Sequence, residues 1–290
     1  MRIELAGSLI RPDPLVLRLE TNQYFYPENY LELGYTHFEV ICIGGGGGIG
    51  GGIDTANTGT LIRSYGGAGG GGGFHRVRGL LSALPTDVYV EVGIAGIPGN
   101  EHSSNPALTS DGSDGGHSAF NGTTCRASGG KGGKRVQSNS LTVTTQAHGG
   151  DGGIGNRTIA GGGAPGGLAG TPSPTGPYIP GTDGTDGTIF NNIGKGGGGG
   201  AGGVGRYDGG TYSFATAGGR GSYNPGDTSV YGPGAPQSDD SSSGADGIIP
   251  GGASGAKAAP LNGLPTVFGQ SIGARTPSQK GIVILRLTAE

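Results

Sequence analysis

The stretch "HFEVICIGGGGGIGGGID", residues 37–54, carries a β-type apolar segment, Phe38–Ile43, straight into five consecutive glycines, Gly44–Gly48, and then into Gly50–Gly52. A chain leaving its core onto residues without side chains has three readings. It can be a loop that cradles a ligand, a flexible linker, or a packed structure built of glycine backbone.

Composition narrows the choice. The 290 residues include 71 glycines and 18 prolines, a share at which a chain without periodicity is first suspected of disorder. Against that stand short Val, Ile, Leu and Tyr runs that punctuate the glycines as strands would. The formal net charge of -3 gives no electrostatic footprint for nucleic acid or a polybasic membrane contact. Nothing approaches the roughly 20 apolar residues of a membrane helix. The opening "MRIELAGSLIRPDP" lacks the apolar core of a signal peptide, so the expectation is a product made in the cytosol without membrane insertion. Two cysteines, Cys42 and Cys125, are too few for a disulfide scaffold and have no CxxC spacing; Cys42 reads as a buried thiol.

The first 36 residues hold ordinary apolar content with turn-forming Pro12, Pro14 and Pro27, and read as a short β base. Strands are expected at 38–43, at 87–95 ("DVYVEVGIA"), at 141–145 ("LTVTT") and near 282–288 ("GIVILRL", starting at Gly281). Val88, Val90 and Val92 alternate with Tyr89 and Glu91, so one face is buried. The last strand is almost continuously apolar, which suits a central position, and the segments 38–43 and 282–287 are expected to meet in one sheet. Only "GGFHRVRGLLSAL" has anything like helical spacing, and flanking glycines and Pro85 leave it little room.

Known glycine motifs fit poorly. Gly45, Gly47 and Gly50 satisfy G-x-G-x-x-G after a strand, but no segment of period 3.6 follows to supply the helix a dinucleotide fold needs. "SGGKGGKRV" has lysines without the Ser or Thr of a phosphate loop, and "GTDGTDGT" keeps a collagen period only briefly. Asp111 with Asp114, and Asp183 with Asp186, could face a calcium ion, yet no repeat or EF-hand spacing recurs, and polar turns are the expectation. His37, His75, His102, His117 and His148 are scattered without ligand or catalytic spacing, and no carboxylate pair is recognisable. No catalytic residue, cofactor or metal is assigned.

Packed glycine backbone remains. An extended left-handed helix with three residues per turn makes no internal hydrogen bonds, so several such helices side by side can bond to one another where no Cβ intervenes. The fold expected is all-β plus irregular: a short β base, a body of polyglycine-II-type helices, long loops and almost no α-helix. The runs 44–48, 69–73, 161–163 and 196–200 are its helices. Gly44, Gly46, Gly48, Gly70, Gly72, Gly197, Gly198 and Gly199 are its structural contacts.

The order of these blocks carries a resemblance. "TNQYFYPENYLELGYTHFEVICIGGGGG", "GGAGGGGGFHRVRGLLSALPTDVYVEVGIAG", "GHSAFNGTTCRASGGKGG", "GGGGGAGG" and the terminal "GIVILRLT" resemble, in order, the glycine-rich domain of bacteriophage tail fibre, tail-tip and minor tail proteins over roughly residues 21–290. Where that family commonly has a tryptophan before the glycines, this chain has Ile41, Cys42 and Ile43. The resemblance implies a non-enzymatic virion component of the distal tail. Its partners would be other tail proteins, further copies around the tail axis, and a host-surface glycan or protein. It also implies residues 1–20 as an attachment segment and 21–290 as the glycine-rich domain. Receptor contact would fall to the loops, with Tyr178, Tyr207, Tyr212, Phe214, Tyr223 and Tyr231 as stacking residues, the alternative for each being that it covers the side of the glycine lattice or fills a gap between loops. The competing readings are a non-viral extracellular glycine-rich scaffold and a tail enzyme degrading host-wall polysaccharide.

Overall fold

The computed structural model describes residues 11–57, 60–64, 66–100, 109–135, 148–155, 189–190, 192–194, 204–207, 222–223, 230–231 and 278–290. The strands are β1 Leu15–Leu19, β2 Gln23–Phe25, β3 His37–Ile43, β4 Ile53–Asn57, β5 Thr60–Ser64, β6 Phe74–Leu80, β7 Val88–Glu91, β8 Ser118–Phe120, β9 Cys125–Ala127, β10 Ile189–Phe190, β11 Ile193–Gly194, β12 Val204–Tyr207, β13 Ser222–Tyr223, β14 Val230–Tyr231 and β15 Ile282–Thr288. Helix among the described residues is confined to one turn, α1 Glu28–Leu31, and a 3-10 turn at Leu81–Ala83. The described residues therefore form a β structure with almost no helix.

Two antiparallel sheets make the base, in the orders β1-β15-β3-β6-β11-β10 and β2-β7-β8-β9. Smaller antiparallel groups are β12-β5-β4 and β13-β14. The expected meeting of the two apolar segments holds: β15 pairs with β3 from Ile282↔Ile43 to Thr288↔His37. The period of two sets the core. Phe38, Val40 and Cys42 of β3 and Val283, Leu285 and Leu287 of β15 pack against Phe25, Val88, Val90, Phe120, Cys125 and Ala127 of the second sheet. The opposite face of the first sheet is only partly covered, with Ile43, Phe74 and Ile282 buried and Arg286 exposed. β15 is thus central between β1 and β3 but is not sealed on both faces as its apolar run suggests.

No α-helix forms in the segment that was left little room for one. The segment with helical spacing is β6 followed by the 3-10 turn, because its residues pair along β3 from Ile43↔Phe74 to His37↔Leu80. The strand expected over 87–95 ends at Glu91, where the chain passes into glycine-type packing. Leu15–Leu19, inside the segment read as an attachment, is β1, an edge strand paired with β15. The strand expected at 141–145 and the glycine runs 161–163 and 196–200 lie outside the described residues.

The glycine segments are continuations of the base strands in unbroken register. β3 and β6 end their ladder at Ile43↔Phe74, and beyond it Gly44, Gly47 and Gly50 donate to the carbonyls of Gly73, Gly70 and Gly67. β8 and β9 run back in the same way, with Gly115 donating to Gly130 and Gly112 to Gly133. Ahead of β15, Gln279 accepts from Gly46.

What is new beyond the base is bonding between the two layers. Gly45, Gly48 and Gly51 donate to Gly116, Ser113 and Ser110, while Gly130 and Gly133 donate to Gly45 and Gly48. Gly96 and Gly99 donate to Gly46 and Ile49. A strand's amides alternate between two neighbours. Those of Gly44–Gly48, Gly50 and Gly51 go to three, with a repeat of three residues. Residues 44–52 and 66–73 are buried throughout although they carry almost no side chains. Buried amides have to be paired, and the bonds between layers do this.

Candidate functional site

Glycine in this body serves by what it lacks. A Cβ on Gly44, Gly47 or Gly50 would come closer than 3 Å to the backbone carbonyls of Ser128, Lys131 or Lys134. On Gly45, Gly48 or Gly51 it would strike those of Ile94, Ile97 or Asn100. Gly70 and Gly72 meet Asp151 and Gly44 in the same manner. Gly46 is bonded on both sides, donating to Gln279 and accepting from Gly96. Of the glycines singled out from sequence, Gly44, Gly46, Gly48, Gly70 and Gly72 all lie in this bundle, and Gly197, Gly198 and Gly199 lie outside the described residues.

At the rim of the bundle, serine hydroxyls take the place of neighbouring chains. Ser113 Oγ accepts the Ile97 amide at 2.7 Å and Ser110 Oγ that of Asn100 at 2.8 Å. Ser118, fully buried, accepts from Gly93 at 2.9 Å and donates to the Ile43 carbonyl at 2.6 Å. It sits where β3 passes into the glycines.

Asp111 and Asp114 form an ion-pair ladder with the lysines of "GKGGKR". Asp114 accepts from Lys131 Nζ at 2.6 Å and from the Gly132 amide at 2.9 Å; Asp111 accepts from Lys134 Nζ and the Arg135 amide, each at 2.9 Å. Partial burial opposes ionisation, but these hydrogen bonds and cations hold both carboxyls below the usual range. The carboxylates considered for calcium thus have lysine and amide partners, and Asp183 and Asp186 lie outside the described residues. Sequence carried the signal in two stretches, D-x-x-D and K-x-x-K, both on the body's three-residue repeat.

A third cluster lies in the core. Cys42 and Cys125 are free and buried. Cys42 Sγ donates to the Cys125 carbonyl at 3.3 Å, and Cys125 Sγ donates to the His75 carbonyl at 3.2 Å. His75 Nδ1 accepts the Arg126 amide at 3.0 Å, which puts the ring proton of the neutral form on Nε2. Of the other histidines, His37 meets the Thr36 hydroxyl at 2.9 Å and His117 meets Glu91 at 3.0 Å. The His148 carbonyl accepts from Lys134, and His102 lies outside the described residues. Among the described residues no group of three His, Cys, Asp or Glu side chains is arranged to hold a metal ion, and no helix is long and apolar enough to cross a membrane.

Exposed aromatic surface on the base comes from residues the sequence reading did not single out. Tyr24 and Tyr89, opposite one another on β2 and β7, have ring centroids 5.1 Å apart, and Tyr26 stacks on Tyr24 at 6.4 Å. The alternation Y-F-Y at 24–26 was the available signal, with Phe25 turned into the core. Of the loop aromatics, Tyr207, Tyr223 and Tyr231 are on strands β12, β13 and β14. Tyr178, Tyr212 and Phe214 lie outside the described residues.

Comparison with curated proteins gives no significant match. A family profile described as a glycine-rich domain matches residues 23–288, from the start of β2 to the end of β15. With nearly its whole length matched, the chain belongs to the glycine-rich domain family.

Proposed function

We propose that this protein is a structural component of a bacteriophage tail tip, a minor tail protein of the virion, that helps attach the particle to the host cell surface. Its body is read as packed polyglycine-II-type helices, and residues 1–20 as the segment that seats it on other tail proteins, in several copies around the axis. The observation that carries this reading is the bundle of 44–51, 66–73, 93–100, 110–116 and 128–135, whose backbones hydrogen-bond to one another. Such a body suits a rigid support for variable loops. The order of strand and glycine blocks, which resembles tail proteins, supports the same reading. A glycan or protein of the host envelope is the proposed ligand, and no catalysis is assigned.

Purified, fluorescently labelled protein on intact bacteria, with wall-polysaccharide mutants as a panel, tests the adhesive part. Saturable binding lost with one surface polymer is expected. Absence of binding on all hosts of a phage whose tail tip an antibody to the protein still labels would remove the adhesive role and leave a structural one. Failure to label any tail would overturn the virion assignment.

A further inference from the structure

We propose that Cys42 and Cys125 are an oxidation site, at which a small hydroperoxide forms a disulfide tying the two sheets together beside the glycine body. The pair is placed for it. Cys42 is on β3 of one sheet and Cys125 on β9 of the other, and both side chains are fully buried. Each sulfur reaches the backbone of the opposite sheet: Cys42 Sγ the Cys125 carbonyl at 3.3 Å, and Cys125 Sγ the carbonyls of His75 at 3.2 Å and Val40 at 3.9 Å. Ala127, two residues from Cys125 on β9, and its β8 partner Ser118 are both small and fully buried.

The two thiols are chemically unequal. Burial opposes ionisation of Cys125, yet the neighbouring Cys42 and His75 side chains bring its thiol down to about 6, whereas burial and the adjacent Cys125 push Cys42 well above the ordinary range. Cys125 is the nucleophile and Cys42 the resolving thiol. The Cys125 thiolate attacks one peroxide oxygen, the O–O bond breaks, and the departing oxygen takes a proton, leaving a sulfenic acid on Cys125. The Cys42 sulfur then attacks the Cys125 sulfur, the S–O bond breaks, and the Cys42 proton leaves with that oxygen as water. The two thiols supply the two electrons that reduce the peroxide. Complete burial favours an oxidant of about the size of water over a bulky disulfide. The link closes a loop across 83 positions, a length at which cross-linking restricts the unfolded chain strongly.

The test is independent of cell binding. Native protein is treated with hydrogen peroxide, the excess destroyed with catalase, and the chain unfolded in guanidinium with N-ethylmaleimide and mapped by mass spectrometry. A linked peptide pair containing Cys42 and Cys125, loss of both maleimide adducts and a melting temperature several degrees higher, reversed by dithiothreitol, are expected. With dimedone present during oxidation, Cys42→Ser should trap an adduct on Cys125, and Cys125→Ser should give none on Cys42. Full maleimide labelling of both cysteines, under conditions that oxidise a free-thiol standard to completion, would overturn the proposal. So would oxidation to sulfinic acid without a link. If either variant fails to fold, the map of the unaltered protein decides.

Discussion

At Gly48, a Cβ would lie against the Ile97 carbonyl, and that carbonyl is already fixed by the amide of Ser113. Neither chain can retreat without leaving buried donors unpaired, each worth about 1–3 kcal/mol. The usual case for glycine, freedom at positive φ, does not apply: among the described residues positive φ is confined to Gly34, Gly122, Asn121 and Asn192, all outside the bundle. The two roles separate in experiment. Gly48→Ala should cost about 3 kcal/mol or more, or prevent folding. Gly122→Ala, at φ +62 with nothing within 4 Å of the new Cβ, should cost only the left-handed penalty of about 1 kcal/mol. Urea unfolding of both variants checks this; equal costs would mean that close backbone approach does not govern the body.

Elements were legible where side chains alternate. Val88 and Val90 are buried and Tyr89 exposed, as the period of two requires, and the pairing of 38–43 with 282–287 followed from apolar runs with no other place to bury themselves. The β6 segment was harder, because Phe74, Val77 and Leu81 mimic a helical spacing and only the partner strand decides between periods. Which glycine segment lies against which was not legible at all, since glycine carries no pattern. The exception was the charged rim, where Asp111 and Asp114 match Lys134 and Lys131 across the 112–133 pairing. These carboxyls titrate below their unfolded value of about 3.9, so their contribution is fully present above it and is lost as pH falls through the folded values. The pairs are half exposed, which limits each to about 0.2–1 kcal/mol and makes it sensitive to salt. An Asp111→Asn, Asp114→Asn double variant should therefore melt below the parent at pH 7 in low salt. The gap should narrow below about pH 4 and in 1 M salt; a gap independent of both would assign the loss to geometry instead of charge.

Across the whole molecule, base and body differ in what separates their layers. In the base, side chains such as Phe38, Val40, Val90 and Phe120 stand between two sheets; in the body those side chains are gone and the same chains bond directly across the gap. Since 44–51 continues β3, 66–73 leads into β6, 93–100 leaves β7, 110–116 leads into β8 and 128–135 leaves β9, neither part has a boundary at which to open alone. Glycine loses the most backbone entropy on ordering, so an independent body would be the weaker part and would exchange its amides first. The unbroken register predicts the opposite. Native-state hydrogen exchange should give the amides of Gly45, Gly47 and Gly48 an opening free energy equal to that of Val40 and Ile41 in β3, all at the limit set by global unfolding. Protection of β3 with rapid exchange over 44–51 would show that the bundle opens on its own, and the rigid support required of it would then have to come from a partner.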